Sequence, residues 1–385
     1  MSTVSRPRVL RACPADTPAL LLDEPRMRAN IARMRERMAT LGVALRPHVK
    51  TAKSIEVASV MFDEAPAPIT VSTLLEAEVF ADHGYDDITY AVGIAPNKFR
   101  RIAALLARGV KLQLTLDSLE AARLVADASK GWPSGARILI EIDTDGHRAG
   151  VRPDDAKLLE IAAILAGGGA PVGGVLTHAG GSYDCRSADS IREVAEHERA
   201  GAVGAADRLR RQGHDASVVS VGSTPTALFA KALPGVTEVR AGVYVFFDLV
   251  MAGLGVCSVD DIAISVLTSV IGHQRERGWT IVDAGWMAMS RDRGTADQPL
   301  DQGYGLVCSA DGAVLPDYLM VSANQEHGII AHRSGDPARM LDLPIGTMLR
   351  VLPNHACATG AQFDGYRVLG AAGAADRYWQ RFHGW

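Results

Sequence analysis

The chain has 385 residues, 48% of them hydrophobic, which is enough to bury a large core without disulfides or structural metals. The 40 basic and 44 acidic side chains leave a formal net charge of -4, which argues against a protein that binds nucleic acids through their phosphate backbone. The sequence has neither an apolar run of the roughly 18 residues that cross a bilayer nor a secretory signal, and its five cysteines are scattered. We therefore expect a cytoplasmic protein with reduced thiols and about two domains.

The first predicted element is an amphipathic helix at 25–40. Its apolar face is formed by Met27, Ile31, Met34 and Met38. After it, short apolar or β-branched runs alternate with stretches of helical periodicity. The predicted strands are 43–49, 69–72, 88–92, 111–116, 137–142, 172–178, 217–222 and 236–242, and the helices between them include 74–83, 98–108, 118–129, 155–166 and 188–212. Eight strands that alternate with helices predict an α/β fold, a parallel (β/α)8 barrel of the TIM type.

From about residue 257 the pattern changes to short β runs that are divided by turn residues. These predicted strands are 262–271, 279–283, 318–322, 328–331 and 348–352. They predict a second, mostly antiparallel β domain. We place the barrel domain at 20–255 and the β domain at 256–385. Residues 1–19 are assigned to the β domain as well, because they precede the barrel and look extended.

A lysine stands where the first predicted barrel strand ends. Lys50 lies within the run RPHVKT, and catalytic groups of such barrels collect at the C-terminal ends of the strands. In a barrel mouth, desolvation and neighbouring cations make a lysine nucleophilic toward aldehydes. From spacing alone, the alternative is an ordinary surface lysine that follows a strand.

A candidate anion site follows the seventh and eighth predicted strands. The run GSTPT offers Gly222 and the hydroxyl groups of Ser223 and Thr224, and Gly242 ends the next strand with an accessible amide. Phosphate groups bind at this position in many TIM-type barrels. The alternative is an ordinary Ser or Thr helix cap. Together with Lys50, the pattern indicates pyridoxal 5'-phosphate (PLP), which needs a lysine for its aldehyde and an anion site for its phosphate.

Two further groups of polar residues fit a functional site. Arg148 follows the fifth predicted strand, and His178 and Tyr183 follow the sixth, although loop residues of this kind can also be merely solvated. In the β domain, His355 and Cys357 stand two residues apart, so on an extended strand they would share one face. Both suit Zn²⁺ or a similar ion, and two protein ligands leave coordination sites open, as in catalytic centres. The alternative is a partly buried pair without a metal.

Five motifs are recognisable in the sequence. They are RPHVKT at 46–51, DGHRAG at 145–150, GSTPT at 222–226, NQEHG at 324–328 and PNHACAT at 353–359. As a set they resemble the D-serine dehydratase/D-threonine aldolase family, and within it most of all the bacterial D-threo-3-hydroxyaspartate dehydratases. These are fold-type III PLP enzymes related to alanine racemase. The likeness runs through nearly the whole chain.

The resemblance implies roles for the candidate residues. Lys50 would be the Schiff-base lysine, and the PLP phosphate and ring would be held by Gly222, Ser223, Thr224, Gly242, the backbone of Val243, Arg148, His178 and Tyr183. His355 and Cys357 would bind a divalent metal: Zn, Mn or Co. Dehydratases of the family tend to carry His-x-Cys and D-threonine aldolases His-x-Asp, so Cys357 points to a dehydratase, with VSTL at 71–74 in support. The resemblance also implies a homodimer in which the partner subunit completes the active site.

The activity implied by this resemblance is that of a PLP- and divalent-metal-dependent dehydratase (ammonia-lyase) of D-3-hydroxy amino acids. It would convert D-threo-3-hydroxyaspartate to oxaloacetate and ammonia, or D-serine to pyruvate and ammonia. A metal-activated aldolase is the first alternative, and it would cleave D-threonine or 3-hydroxy-D-aspartate into glycine and an aldehyde. The second alternative is a non-catalytic PLP-binding protein, but such proteins are a single shorter barrel, which would leave 257–385 without a role.

Overall fold

The structure is a computed structural model of the chain. It describes residues 16–62, 66–370 and 375–385. The part of the predicted β domain at residues 1–15 therefore lies outside the described residues. In the described ranges, no helix is both long and apolar enough to cross a membrane.

The first elements of the chain are strand β1 (Ala19–Asp23) and helix α1 (Glu24–Leu41). The predicted apolar face of α1 is buried, since the exposed fraction is 3% or less at Met27, Ile31, Met34 and Met38. The amphipathic pattern at 25–40 therefore predicted this helix and its buried face correctly.

One compact unit consists of residues 32–244 and 384–385 and contains the alternating part of the chain. Its strands are β2 (Ala44–Leu45), β3 (Ile69–Val71), β4 (Asp87–Gly93), β5 (Lys111–Leu116), β6 (Ala136–Ile142), β7 (Val172–Thr177), β8 (Val218–Val221) and β9 (Glu238–Val239). Its helices are α2 (Ile55–Met61), α3 (Leu74–Asp82), α4 (Phe99–Ala107), α5 (Leu119–Ala128), α6 (Lys157–Gly167), α7 (Ala188–Arg211) and α8 (Thr224–Phe229). The eight strands form one parallel sheet in the order β2-β9-β8-β7-β6-β5-β4-β3.

Backbone hydrogen bonds join the two ends of this sheet and close it into a barrel. A parallel bridge links His48 to Thr70, and the Thr70 amide donates to the Pro47 carbonyl oxygen at 2.8 Å. The (β/α)8 prediction is therefore confirmed. Parallel strands place their C-terminal ends, and the loops that follow them, at one mouth of the barrel.

Two barrel strands are much shorter than predicted. In place of the predicted strand 43–49, the structure has β2 and a single bridge at His48. The strand is interrupted because Pro47 has no N–H for the hydrogen bonds between strands. The prediction 236–242 becomes β9 alone. The backbone beyond β9 still pairs, since the Arg240 amide donates to the Val221 carbonyl oxygen at 2.7 Å, but the regular ladder has ended.

The other compact unit consists of residues 16–31 and 245–383. Its further elements are α9 (Leu249–Gly253), β10 (Ile264–Gln274), β11 (Trp279–Val282), α10 (Trp286–Met289), β12 (Gly305–Ser309), β13 (Val314–Ala323), β14 (Gly328–His332), β15 (Met348–Pro353), α11 (Ala356–Gly360), β16 (Gly365–Leu369) and β17 (Ala375–Gln380). The nine-stranded sheet has the order β11-β14-β13-β12-β15-β10-β1-β16-β17. Apart from the parallel pair β1 and β16, the recorded pairs are antiparallel, as predicted.

Candidate functional site

Lys50 lies just past the first strand of the barrel. The His48 amide donates to the Ala241 carbonyl oxygen at 2.8 Å, and the Val49 amide donates to the Thr70 carbonyl oxygen at 3.0 Å. These bonds place Lys50 at the C-terminal mouth, where the sequence predicted it. The Lys50 side chain is exposed, however, so the expected desolvation of its amine is absent from this structure.

Two imidazole rings share this mouth with Lys50. Burial, together with the positive charges of Arg148, Lys50 and Arg240, lowers the pKa of His178 to about 3. Burial and the charge of Lys50 also hold the pKa of His48 well below its usual range. Both rings are therefore neutral at physiological pH and can act as hydrogen-bonding groups beside the lysine.

The loops after the β6 and β7 strands add a cation and an aromatic ring. The Arg148 Nη2 atom lies 3.7 Å from Glu141 Oε1, and the Arg148 side chain is 50% exposed. The ring of Tyr183 lies 6.3 Å from that of His178, measured between centroids, with 46° between the planes. Arg148, His178 and Tyr183 thus belong to the same barrel unit as Lys50, as the sequence predicted.

Ser223 and Thr224 lie at the start of the α8 helix and are almost fully buried. The Ser223 Oγ atom accepts from the Thr226 amide at 3.2 Å and lies 2.9 Å from Ser182 Oγ, so Ser223 is a helix cap. The Thr224 Oγ1 atom accepts from the Tyr244 amide at 3.3 Å. The ordinary-cap alternative therefore describes Ser223 correctly, although a capping hydroxyl at a helix N-terminus can also contact an anion.

Gly222, a residue of the predicted phosphate site, has a role in the packing of the barrel. Its amide donates to the buried Glu198 Oε1 at 2.8 Å, so this N–H is already bonded inside the protein. Its φ is +133°, and an added Cβ would lie 2.3 Å from the Arg240 carbonyl oxygen. The glycine is needed because the backbone that follows β8 passes very close to the backbone that follows β9.

The amides of Gly242 and Val243 fit a phosphate site. Among the described residues, no protein group accepts a hydrogen bond from either of these adjacent N–H groups. A Cβ on Gly242 would lie 2.8 Å from the His48 carbonyl oxygen and 3.0 Å from Thr51 Oγ1, so only glycine leaves this approach open. Two neighbouring free donors after the eighth strand are the kind of cradle that the phosphate of PLP requires.

We expect Gly222→Ala to lower the free energy of unfolding by about 1–3 kcal/mol, because the new Cβ meets backbone atoms and the left-handed φ is strained. Urea denaturation measures this change. Gly204→Ala is the control, since an added Cβ there meets nothing within 4 Å in helix α7. Alanine should stabilise a helix interior by up to about 1 kcal/mol. Equal midpoints for both variants would contradict the packing argument.

Two buried charged residues of the barrel unit, Arg240 and Glu198, were not predicted from the sequence. Arg240 is buried and donates to Ser220 Oγ at 2.6 Å and to the Thr177 carbonyl oxygen. Glu198 also accepts from the Ala179 amide at 3.1 Å, and burial raises its pKa. A signal for Glu198 was present, because it lies at helical spacing among the buried α7 residues Ile191, Ala195 and Ala202.

His355 and Cys357 come together, but not in the predicted way. The expectation that both lie on one face of an extended strand is wrong, since β15 ends at Pro353 and His355 directly precedes the short α11 helix. The chain turns here because the Ala356 amide donates to the buried Asp248 Oδ2 at 2.9 Å. The side chains of His355 and Cys357 nevertheless hydrogen-bond each other.

A carboxylate lies behind the histidine of this pair. His355 Nδ1 lies 2.6 Å from Asp292 Oδ2. Burial opposes a charge on the ring, but the bonds to Asp292 and Cys357 outweigh it and raise the pKa of His355 to about 11. The described residues contain no group of three His, Cys, Asp or Glu arranged to hold a metal. A metal here would have His355 and Cys357 as its protein ligands, and this donor set fits a transition ion with open coordination sites.

Comparisons with known proteins agree with this architecture. The model of the alanine racemase N-terminal domain matches residues 22–250, and that of a putative serine dehydratase domain matches residues 263–369. D-threo-3-hydroxyaspartate dehydratase of Delftia sp. (strain HT23) is 54% identical over 375 residues, which cover 96% of this chain and 98% of that protein. The chain belongs to the alanine racemase-like dehydratase family.

Two further relatives with other named activities are also similar. D-serine dehydratase of Dictyostelium discoideum is 30% identical over 377 residues, 92% of this chain and 93% of that protein. D-threonine aldolase of Arthrobacter sp is 27% identical over 371 residues, 95% of this chain and 92% of that protein. The family is one of PLP-dependent fold-type III enzymes, so the resemblance inferred from the motifs is confirmed.

The solved structure of the Delftia dehydratase has a TM-score of 0.92 to this chain at 54% identity, covering 96% of this chain and 98% of that one. The same dehydratase was solved as a Cys-to-Ala variant in a metal-free form, also with a TM-score of 0.92. It was solved as a His-to-Ala variant too, and the two substituted positions stand two residues apart in that protein.

Proposed function

We propose that this chain converts D-threo-3-hydroxyaspartate to oxaloacetate and ammonia. The observation that carries the proposal is the 54% identity to the Delftia dehydratase along 96% of the chain. Loss of the Cα proton and the β-hydroxyl releases water and leaves an enamine. Hydrolysis of the enamine consumes that water and releases ammonia, so the net products are the 2-oxo acid and ammonia. D-serine, treated in the same way, gives pyruvate and ammonia.

The barrel unit supplies the groups that would hold PLP. Lys50 would hold its aldehyde carbon, and its phosphate and ring would be held by Ser223, Thr224, Gly242, Val243, Arg148, His178 and Tyr183. Gly222 shapes this loop through its backbone, because its amide is bonded to Glu198. When bound, PLP supplies an electron sink for negative charge at the Cα atom of an amino acid. The Lys50 Nζ atom is the base that we assign to the Cα proton.

The unit of residues 16–31 and 245–383 supplies His355 and Cys357, which would hold the divalent metal. A metal supplies Lewis acidity toward the β-hydroxyl, which is otherwise a poor leaving group. Imidazole and thiolate together favour Zn²⁺ over the harder Mn²⁺, and Co²⁺ binds the same donors. The metal-free form of the Delftia Cys-to-Ala variant supports a metal role for this pair.

The products decide between this proposal and an aldolase. We expect incubation with D-threo-3-hydroxyaspartate, PLP and Zn²⁺ to release ammonia and oxaloacetate in equal amounts, measured with glutamate dehydrogenase and malate dehydrogenase. An aldolase would cleave the Cα–Cβ bond and yield glycine and glyoxylate without ammonia. D-serine, D-threonine and the other isomers of 3-hydroxyaspartate are the comparison substrates. Glycine as the main product from 3-hydroxyaspartate would overturn the dehydratase proposal.

We also propose that the enzyme is a homodimer, as the resemblance implies. Light scattering on the eluting peak of a gel-filtration column should then give twice the chain mass of 40.9 kDa. A mass equal to that of one chain, at the concentration used for the activity assay, would contradict the proposal.

A further inference from the structure

The Asp292 carboxylate determines which nitrogen of His355 is available to a ligand. Asp292 Oδ2 lies 2.6 Å from His355 Nδ1, which is close enough for a strong, charge-assisted hydrogen bond. Nδ1 must carry the proton of this bond, because an ionised carboxylate only accepts. A metal can then bind only at Nε2, where it takes the place of a proton, and the ring cannot rotate without breaking the bond to Asp292.

Asp292 is itself fixed by three further hydrogen bonds. Its amide donates to Ser290 Oγ at 3.2 Å, its Oδ1 accepts from the Gly294 amide at 2.9 Å, and its carbonyl oxygen accepts from Asn354 Nδ2 at 3.2 Å. One carboxylate oxygen is thus bonded within its own loop, and the other is bonded to His355. The Asp292 side chain is 32% exposed, so the surrounding protein limits the access of water to it.

Asn354 couples this loop to the metal motif. It is 2% exposed and directly precedes His355. Its Oδ1 accepts from Thr295 Oγ1 at 2.9 Å, and its Nδ2 donates to the Gly303 carbonyl oxygen at 2.7 Å as well as to Asp292. The same buried amide therefore positions the backbone on both sides of the Asp292–His355 bond.

The start of the loop is strained in a way that favours a functional role. Ser290 has a φ of +69°, a left-handed conformation that residues other than glycine rarely adopt. Such residues persist where the surrounding contacts hold them, and they cluster at functional sites. Here the strained residue provides the hydroxyl that accepts from the Asp292 amide.

We infer that Asp292 is a positioning residue of the metal centre: it holds the His355 ring in the tautomer and orientation in which Nε2 binds the divalent ion. This inference rests on the proposed metal role of His355 and Cys357. Carboxylates that bond the second nitrogen of a metal-bound histidine restrict its ring and raise its basicity, and their removal weakens metal binding by about 10–100-fold.

The test measures metal binding directly, on the PLP-loaded full-length protein. The variants are Asp292→Asn, which keeps the shape but not the charge, and Asp292→Ala. Asp297→Asn is the matched control, because it removes an exposed carboxylate from the same segment. Zn²⁺ affinity is measured by competition with a chromophoric chelator, and Co²⁺-loaded samples report the thiolate-to-cobalt charge-transfer band.

We expect both Asp292 variants to bind Zn²⁺ about 10–100-fold more weakly, with an altered cobalt spectrum and an unchanged PLP absorbance. The control should match the parent protein. If Asp292→Ala fails to fold, the isosteric Asp292→Asn still decides. Parent-like affinity and cobalt spectrum in Asp292→Asn would overturn the inference. His355→Ala distinguishes failure of the inference from failure of the proposed metal site. If His355→Ala also keeps the parent Zn²⁺ affinity, the proposed metal site itself is wrong. If only His355→Ala loses Zn²⁺ affinity, the metal site stands and Asp292 has no role in it.

Discussion

Lys50→Ala should lose the visible absorbance of a lysine-bound cofactor and at least about 10³-fold of the dehydratase rate. Lys50 lies at the barrel mouth beside two neutral imidazole rings. We assign to its amine both the anchoring of PLP and the removal of the Cα proton. Removing that amine removes both functions together. Absorbance spectra of the purified protein with PLP and initial rates of ammonia release measure the two effects.

The nearby Lys53 provides the control for this prediction. Its Nζ atom lies 3.2 Å from Glu76 Oε1, and the Glu76 side chain is fully buried. Lys53→Arg keeps this ion pair and should keep both absorbance and rate. Borohydride reduction followed by peptide mass spectrometry identifies the modified lysine directly. A reduced adduct on Lys53, or an intact absorbance band in Lys50→Ala, would assign the anchor to a residue other than Lys50.

The regular part of the fold could be predicted because its strands are buried and its helices are amphipathic. The run 111–116 is strand β5 (Lys111–Leu116), and 137–142 is strand β6 (Ala136–Ile142) to within one residue. Each lies between two parallel neighbours, where continuous apolar runs are the rule. Pro47 within the run 43–49 was a signal for the short β2 strand, whereas the length of β9 depends on its pairing with β2 and β8, which the sequence does not show.

In the nine-stranded sheet the sequence predicted five strands and missed four others. The missed strands are β1, β12, β16 and β17, and β16 and β17 lie at one end of the sheet. The β17 sequence ADRYWQ has no apolar run, and its pairing with β16 is what makes it a strand. Strand formation of this kind depends on the neighbouring strand more than on local preference.

The site residues that were predicted carry a local sequence signal, and those that were not depend on contacts with distant parts of the chain. Lys50, His355 and Cys357 could be found because each residue type carries its chemistry in its side chain and lies in a short motif. Asp292 could not be found, because its role depends on contact with a residue 63 positions away. The bond from the Gly222 amide to Glu198 could not be found either, since Glu198 lies on the distant α7 helix.

His355→Ala and Cys357→Ala should each lose the bound metal and at least about 10²-fold of the dehydratase rate, since metal charge stabilises a transition state by several kcal/mol and each 1.36 kcal/mol is tenfold. The absorbance of bound PLP should stay unchanged, because neither residue belongs to the barrel unit. Metal content is measured by mass spectrometry of digested protein, and rates are measured before and after treatment with a chelator.

Cys357→Asp tests whether the metal needs a sulfur ligand at this position or only a negatively charged donor. A carboxylate keeps a donor at this position but favours harder ions, so we expect this variant to bind Mn²⁺ relatively better and Zn²⁺ relatively worse than the parent protein. If Cys357→Ala is inactive and Cys357→Asp is active with Mn²⁺, the rate depends on a metal at this position. Full activity in His355→Ala with no metal present would mean that a protein acid protonates the departing β-hydroxyl, and the Lewis-acid role would then have to be abandoned.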